Sequence, residues 1–340
     1  MNWQLWQEGL CDEMNGKYHI IVQNRYLKYE FDIKRNLTMI QGDSATGKTT
    51  LVNMIREYSL GGRSSGVQLS CEKPCRVLEG DLWKELLQII QNTIIFIDED
   101  NDFIETKEFA EAIQGSTNYF VIVTRENLEM LPISITEVYG IKSSGRYGSL
   151  RPVYHEMYHI YDFGRENLSQ IVPKCFITED SNSGFEFFSY VAKQNGISCI
   201  SANGKSNIYG MIVGEKYTED VLIIADGAAF ASQMNRIRRI VERNPHIHLF
   251  LPESFEWIIL QSDVLNDAEI REILAQPEKY IYGEKWSSWE RFFTNLLVEK
   301  SKGSYLNYTK KKLNDNYLHG NIQKKILSVL EGIEIQSKDA

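Results

Sequence analysis

The chain has 340 residues, 43% of them hydrophobic and 24% charged, with a formal net charge of -9. That length allows two domains or one large domain with appendages, and the balance of residue types excludes a disordered or fibrous chain. The longest apolar runs are strand-sized, which excludes a bilayer-spanning helix, and the net acidity excludes a surface coated throughout in positive charge.

The first residues, MNWQLWQEGLCDEM, lack the basic start and apolar core of a secretory signal, so a cytoplasmic location with no membrane partner is expected. Five cysteines form an odd set without a dense framework, which fits a reducing compartment.

Alternating β-rich runs come first, at 18–22, 26–31 and 37–40. The third leads directly into Gly42, Asp43, Ser44, Ala45, Thr46, Gly47, Lys48 and Thr49, a G-x-x-x-x-G-K-T pattern. From Thr50 to Arg56 the spacing predicts a helix, with Leu51, Met54 and Ile55 on one face. Strand, glycine-rich loop and helix make a phosphate-binding P-loop. Glycines at 42 and 47 let successive N–H groups close around a polyphosphate, and the helix points its positive end at the same anion. Lys48 is expected to reach the β- and γ-phosphates, the Thr49 hydroxyl to ligate Mg²⁺, and the loop through Thr50 to hold the nucleotide.

Cys71-Glu-Lys-Pro-Cys75 invites a metal reading, but with no second Cys or His pair nearby it reads better as two thiols in a turn. The run TIIFI at 93–97 is a buried strand ending in Asp98 and Glu99. That is a Walker B arrangement, in which Asp98 holds the metal and Glu99 orients the attacking water. The strand at 119–124 ends in Thr124 and Arg125, placing a γ-phosphate sensor and a cation beside the loop. No guanine-reading motif follows, so ATP is the expected nucleotide. His155 and His159 spell H-E-x-x-H, but Pro152, Val153 and the tyrosines favour a strand or turn there over a zinc-binding helix.

These residues resemble the ABC-like branch of P-loop ATPases over roughly the first 150 positions. Between Asn53 and Asn92 there is no LSGGQ-type signature, so the usual nucleotide-sandwich dimer is not implied. The stretch GIKSSGRYGSLRP at 140–152 reads as a linker, although its Lys142, Arg146 and Arg151 are placed to act on a neighbour's nucleotide. A homo-oligomer or a partner protein is compatible with that.

From Val172 the rhythm changes. Strands are predicted at 174–179, 197–201, 221–225 and 246–251, with helices at 185–195 and 231–243, which indicates a small parallel α/β sheet. The order resembles the Toprim domain of topoisomerases, primases and OLD-family nucleases. Glu179 matches the family's glutamate, Gly204-Lys205-Ser206 its turn, and Asp226 the first aspartate of Asp-x-Asp. The resemblance implies that Glu179 and Asp226 bind Mg²⁺ and are catalytic. The second aspartate falls on Ala228, for which Asp180, Glu253 or Glu256 are the available substitutes.

Arg236, Arg239 and Arg243, with Arg238 beside them, fall on one side of the helix after Asp226 and are the expected contacts to nucleic-acid phosphates. Met234, Ile237 and Val241 form its buried stripe. Beyond 262 the chain reads helical and without chemistry. Trp286, Trp289, Phe292 and Phe293 read as core, and Lys300, Lys302, Lys310, Lys311, Lys312, Lys324 and Lys325 as a solvated face.

The expected architecture is therefore α/β: a P-loop NTPase domain (1–165), a small parallel-sheet Toprim-like domain (172–262) and a helical C-terminal segment (263–340). The resemblance implies an ATP-gated, Mg²⁺-dependent nuclease of compact OLD type, of the kind used in mobile-element or antiphage defence. Ala228 supports the alternative, an ATP-switched binding module with a degenerate Toprim-like domain.

Overall fold

The computed structural model describes residues 16–42, 46–143, 153–161, 171–282, 285–286 and 288–335. They fall into two compact units, one drawn from 1–133, 137–161 and 276–287, the other from 134–136, 162–275 and 288–340.

The first unit contains β1 (Tyr18–Gln23), β2 (Leu27–Ile33), β3 (Leu37–Gln41), α1 (Lys48–Gly61), β4 (Gln68–Ser70), β5 (Cys75–Val77), α2 (Trp83–Ile89), β6 (Ile94–Ile97), α3 (Lys107–Ala112), β7 (Tyr119–Thr124), β8 (Val138–Ser143) and β9 (Val153–His159). Its strands form one nine-stranded mixed sheet in the order β4-β1-β2-β9-β8-β3-β7-β6-β5. The β3, β6 and β7 strands are buried along their whole length, as their largely apolar spelling favours, with Thr38, Gln41 and Thr124 as the buried polar members. By contrast β1 alternates, with Tyr18, Ile20 and Val22 facing the core.

The sheet curls, and the chain length shows why. The two edge strands, β4 and β5, are joined by only four residues, 71–74. Nine strands laid flat at about 4.8 Å spacing would hold those edges roughly 38 Å apart. The five Cα steps from Ser70 to Cys75 span at most about 19 Å. Helix α1 fills the curl, and its Leu51, Val52 and Ile55 are fully buried against Ile20, Val22, Ile40, Phe96 and Val121. At the other side of β3, Arg35 faces Glu137 at 3.5 Å as a buried ion pair, and the Thr38 hydroxyl donates to Glu137 at 3.4 Å.

The second unit holds β10 (Cys175–Thr178), α4 (Ser183–Asn195), β11 (Ser198–Ser201), α5 (Lys205–Ile212), β12 (Val221–Ile224), α6 (Ala231–Val241), β13 (Ile247–Phe250), α7 (Phe255–Gln261), α8 (Ala268–Ala275), α9 (Trp289–Ser301) and α10 (Gly320–Leu327). Its four strands are all parallel, in the order β11-β10-β12-β13. Helix α4 buries Phe187, Phe188, Val191 and Ala192 and stops at Gly196, whose φ of 68° suits a residue without a side chain.

The helical C-terminal segment is not a separate third unit. Residues 263–275 and those from 288 onward belong with the parallel sheet, while 276–287 belong to the first unit. The physical reason is the apolar face of α9, which has to be covered: Trp289, Phe292, Phe293, Leu296 and Leu297 are buried, and α9 packs on α7. Trp286 lies outside α9 and is only half-buried, so it does not extend that stripe. Among the described residues no helix is long and apolar enough to cross a membrane.

Candidate functional site

In the first unit, β3 delivers Gly42 and α1 begins at Lys48. Asp43, Ser44 and Ala45 lie outside the described residues. The Lys48 side chain is buried, and its Nζ donates to the Gly42 carbonyl at 2.6 Å and the Thr46 hydroxyl at 3.2 Å. Gly47 has φ +93°, and a Cβ there would stand 2.8 Å from the Tyr29 hydroxyl and 3.2 Å from His155 Cε1. A glycine is required on both counts.

Strand β7 lies between β3 and β6, with Gln41 level with Thr124 and Ile97 level with Ile122. Asp98 therefore follows the second strand over from the loop, and the Thr49 hydroxyl donates to its carboxylate. The two predicted magnesium ligands of the loop are thus in contact. Burial raises the Asp98 pKa, with Asp100 and Glu99 adding to the rise and the Glu99 N–H and Thr49 opposing it. Glu99 meets Arg125 at 2.6 Å, beside an open cavity of about 400 Å³ that Thr124 also lines. Thr124 is buried, and its hydroxyl oxygen accepts the Glu126 N–H at 2.9 Å, so that oxygen serves the turn after β7. Thr50 is exposed and hydrogen-bonds Tyr29.

The sequence did not single out Tyr29 or connect His155 with the loop. Tyr29 donates to the Gly47 carbonyl at 2.8 Å and stacks on His155, with ring centroids 4.5 Å apart and planes 9° from parallel. Histidine 155 lies on strand β9, as does His159. On a strand, residues four apart are about 13 Å apart, so H-E-x-x-H does not make a zinc site here. The His155 Nδ1 is buried and takes no hydrogen bond among the described residues, and burial lowers its pKa.

In the second unit the strand ends converge as parallel strands must. Glu179 follows β10 and Asp226 follows β12, its neighbour in the sheet. The Asp226 N–H donates to Glu179 Oε2 at 2.9 Å. Gly204 donates its N–H to the Glu179 carbonyl at 2.7 Å, and Lys205 bonds the Ala229 carbonyl at 2.5 Å, so the predicted turn does close on the same end. Ala228 is buried in the short turn after Asp226. That turn runs against the end of β13 so closely that a Cβ on Gly227 would lie 2.4 Å from the Leu251 carbonyl oxygen.

Of the expected substitutes, Asp180 and Glu256 line the crevice with Glu179 and Asp226, whereas Glu253 does not. Glu256 sits in the first turn of α7, and its carboxylate accepts from the Tyr308 hydroxyl at 2.8 Å. Two further groups come from the segment read as having no chemistry. Glu290, in the first turn of α9, accepts from Lys310 Nζ at 2.5 Å, and Lys310 lines the crevice. Lys310 is therefore not part of a solvated helical face. Nor is Lys300, which is largely buried and paired with Asp267 at 3.1 Å and Glu269 at 2.5 Å.

The electrostatics follow from this crowding. Burial raises the Asp226 pKa well above the usual carboxylate range, and Glu290, Glu179 and Glu256 push it further, with Lys310 opposing. Glu179 is raised by burial first, against the Asp226 N–H and Lys205. For Lys310, burial works against the charged form, but Glu256 and Glu290 outweigh it and the amine titrates above its ordinary range.

The space left beside these groups is only about 30 Å³. Among the described residues no three carboxylate, imidazole or thiol groups are arranged to hold a metal ion. With the Lys310 amine in place, the crevice does not fit a hydrated cation.

On α6, Arg236 and Arg239 are exposed opposite the buried Met234 and Ile237. The helix ends at Val241, so Arg243, expected to continue the row, sits in the following turn, and Val241 is only half-buried. Arg238 is paired with Glu242 at 2.6 Å. Lys142 is exposed and paired with Glu156 at 3.3 Å, while Arg146 and Arg151 lie outside the described residues.

Comparison of the sequence with known protein families and with curated proteins returns no match.

Proposed function

We propose that this chain binds and hydrolyses ATP with magnesium, and that its second unit is a Toprim-like, nucleic-acid-processing unit of OLD type governed by that turnover. The observation that carries the reading is the contact of Thr49, next to the loop-bonded Lys48 at the start of α1, with Asp98 at the end of β6, two strands over from β3. Lys48 already bonds loop oxygens, and Gly47 keeps the loop free of a side chain, so the donor set fits a polyphosphate with its cation. Thr49 and Asp98 would hold magnesium, which would neutralise charge on the terminal phosphates.

The chain's own residues supply the rest. Lys48 exchanges its loop oxygens for phosphate oxygens. Glu99 orients a water and takes its proton. Arg125 holds Glu99 in position until nucleotide enters, and the cavity beside Thr124 gives the water room.

In the second unit, Glu179 and Asp226 are the pair on which phosphodiester chemistry would rest, with Arg236 and Arg239 as phosphate contacts. Because the crevice as it stands does not fit a cation, no catalytic step there is routed through one. A second reading, an ATP-switched binding module, draws support from Lys310, a cation of the chain's own among the carboxylates, and from the buried Ala228.

Purified protein incubated with ATP, Mg²⁺ or Mn²⁺, and single- and double-stranded DNA and RNA tests both halves, with Lys48→Ala and Glu179→Gln alongside. The nuclease reading expects cleavage that Glu179→Gln abolishes while ATP turnover persists. ATP turnover with no cleavage of any substrate selects the binding module. Turnover unaffected by Lys48→Ala overturns the nucleotide assignment.

A further inference from the structure

The link between the two edges of the curled sheet carries a chemical group that the nucleotide reading leaves unused. Cys71 opens its four-residue span and Cys75 follows it as the first residue of β5; the two sulfurs interact, and the Cys75 Sγ also lies 3.8 Å from the Lys73 carbonyl oxygen. The backbone N–H groups of Glu72 and Lys73 also point at the Cys71 sulfur. Cys71 is half-buried and Cys75 buried, and both line an open cavity of about 680 Å³ with Arg56, Lys73, Arg76 and Glu79. One sulfur is thus surrounded by donors that favour its anion, and a second is within reach of it.

We propose that Cys71 and Cys75 are a dithiol modification site for a small hydroperoxide, with Cys71 attacking and Cys75 resolving. The Cys71 thiolate attacks the nearer peroxide oxygen and the O–O bond breaks. The sulfur becomes a sulfenic acid, and the departing oxygen takes a proton and leaves as water or an alcohol. The Cys75 sulfur then attacks the Cys71 sulfur, the S–OH bond breaks, and water leaves with the Cys75 proton. The peroxide is reduced by two electrons and the two thiols are oxidised to a disulfide.

The asymmetry between the two follows from their surroundings. The Cys75 thiol, ahead of the two N–H groups, brings Cys71 down to about 7 against the cost of burial, while Cys75 is raised by its bond to Cys71 and by burial. The other described cysteines are internal controls. Cys199 is pushed up to about 12 by burial, and Cys175 sits one strand away in the same parallel sheet. Two sulfurs alone do not complete a zinc site, which takes four ligands. The proposal is independent of what the P-loop binds.

The test uses the full chain with Cys11 replaced by Ser, since Cys11 lies outside the described residues. Reduced protein is treated with hydrogen peroxide in the presence of a sulfenic-acid trap and mapped by peptide mass. The expected result is loss of two hydrogens from the peptide containing 71 and 75, reversed by a thiol reductant. Cys75→Ser is expected to give trapped sulfenic acid at Cys71, and Cys71→Ser none at Cys75. Oxidation of Cys71 should outpace that of Cys175 and Cys199 by about tenfold or more. Equal rates at all four positions, or over-oxidation of Cys71 with no disulfide in the parent chain, overturns the proposal, and neither result depends on a variant folding.

Discussion

The Tyr29 hydroxyl donates to the Gly47 carbonyl at 2.8 Å, so a strand at the β-rich start of the chain braces the end of the loop that leads into α1. The same hydroxyl occupies the place a Gly47 side chain would need. Gly47→Ala is therefore expected to reduce ATP affinity by at least about tenfold and to destabilise the first unit by about 1–2 kcal/mol, from the positive φ and the clash. Tyr29→Phe removes the hydrogen bonds to the Gly47 carbonyl and to Thr50, each worth about 1 kcal/mol, and leaves the fold intact. Isothermal titration with a non-hydrolysable ATP analogue, alongside thermal unfolding, checks both. Wild-type affinity in Gly47→Ala sinks the assignment of this loop.

Glu99 and Thr49 should separate chemistry from binding. Glu99→Gln keeps the shape of the side chain and loses the base, so ATP turnover falls about 10²–10⁴-fold with affinity retained. Thr49→Ala removes the donor to Asp98 and makes turnover need more magnesium. Steady-state hydrolysis across a magnesium series reads both. An unchanged magnesium requirement in Thr49→Ala overturns its role as a ligand.

Asp226 gives a pH signature of definite sign. Its folded pKa lies above the unfolded value, so the stability it contributes is present below about 3.9 and is lost as pH rises towards its folded pKa. Asp226→Asn has no proton to lose. The variant should unfold at a higher temperature than the parent at pH 7, with the gap widening from pH 4 upwards. A gap that closes as pH rises contradicts the burial described for Asp226.

Lys310 is the internal counter-charge of the crevice. Lys310→Met keeps the apolar stem but leaves Glu290, Glu179, Glu256 and Asp226 without that amine. Its melting temperature should fall at neutral pH. Added Mg²⁺ should recover more of the loss in the variant than it adds to the parent. If magnesium stabilises both equally, Lys310 is not what keeps a cation out.

The strand, glycine-bearing loop and helix around Gly47 were legible because the residues are contiguous: the glycines, Lys48 and Thr49 are neighbours in sequence, and Asp98 ends a run whose apolar spelling marks a buried strand. The parallel sheet of the second unit was legible for the same reason, since strand-end acids such as Glu179 and Asp226 follow short apolar runs. Tyr29, His155, Glu290 and Lys310 were not. Each reaches its site through tertiary packing, from a strand across the sheet, or from α9 and the turn that follows it, more than 60 positions along the chain from Asp226. In sequence Lys310 is one of several lysines, and only the placement of α9 shows that its amine faces acids. The curl of the first sheet was equally hidden, because β4 and β5 are three-residue strands with no period to read.

Those two short strands are also the borders of a nine-stranded sheet, tied together by the 71–74 link. A long exposed border is a template on which another chain can lay down backbone hydrogen bonds, and borders this short offer little of it. Among the described residues β4 and β5 therefore offer little backbone for strand addition, which disfavours joining of first units into open-ended aggregates at those two strands.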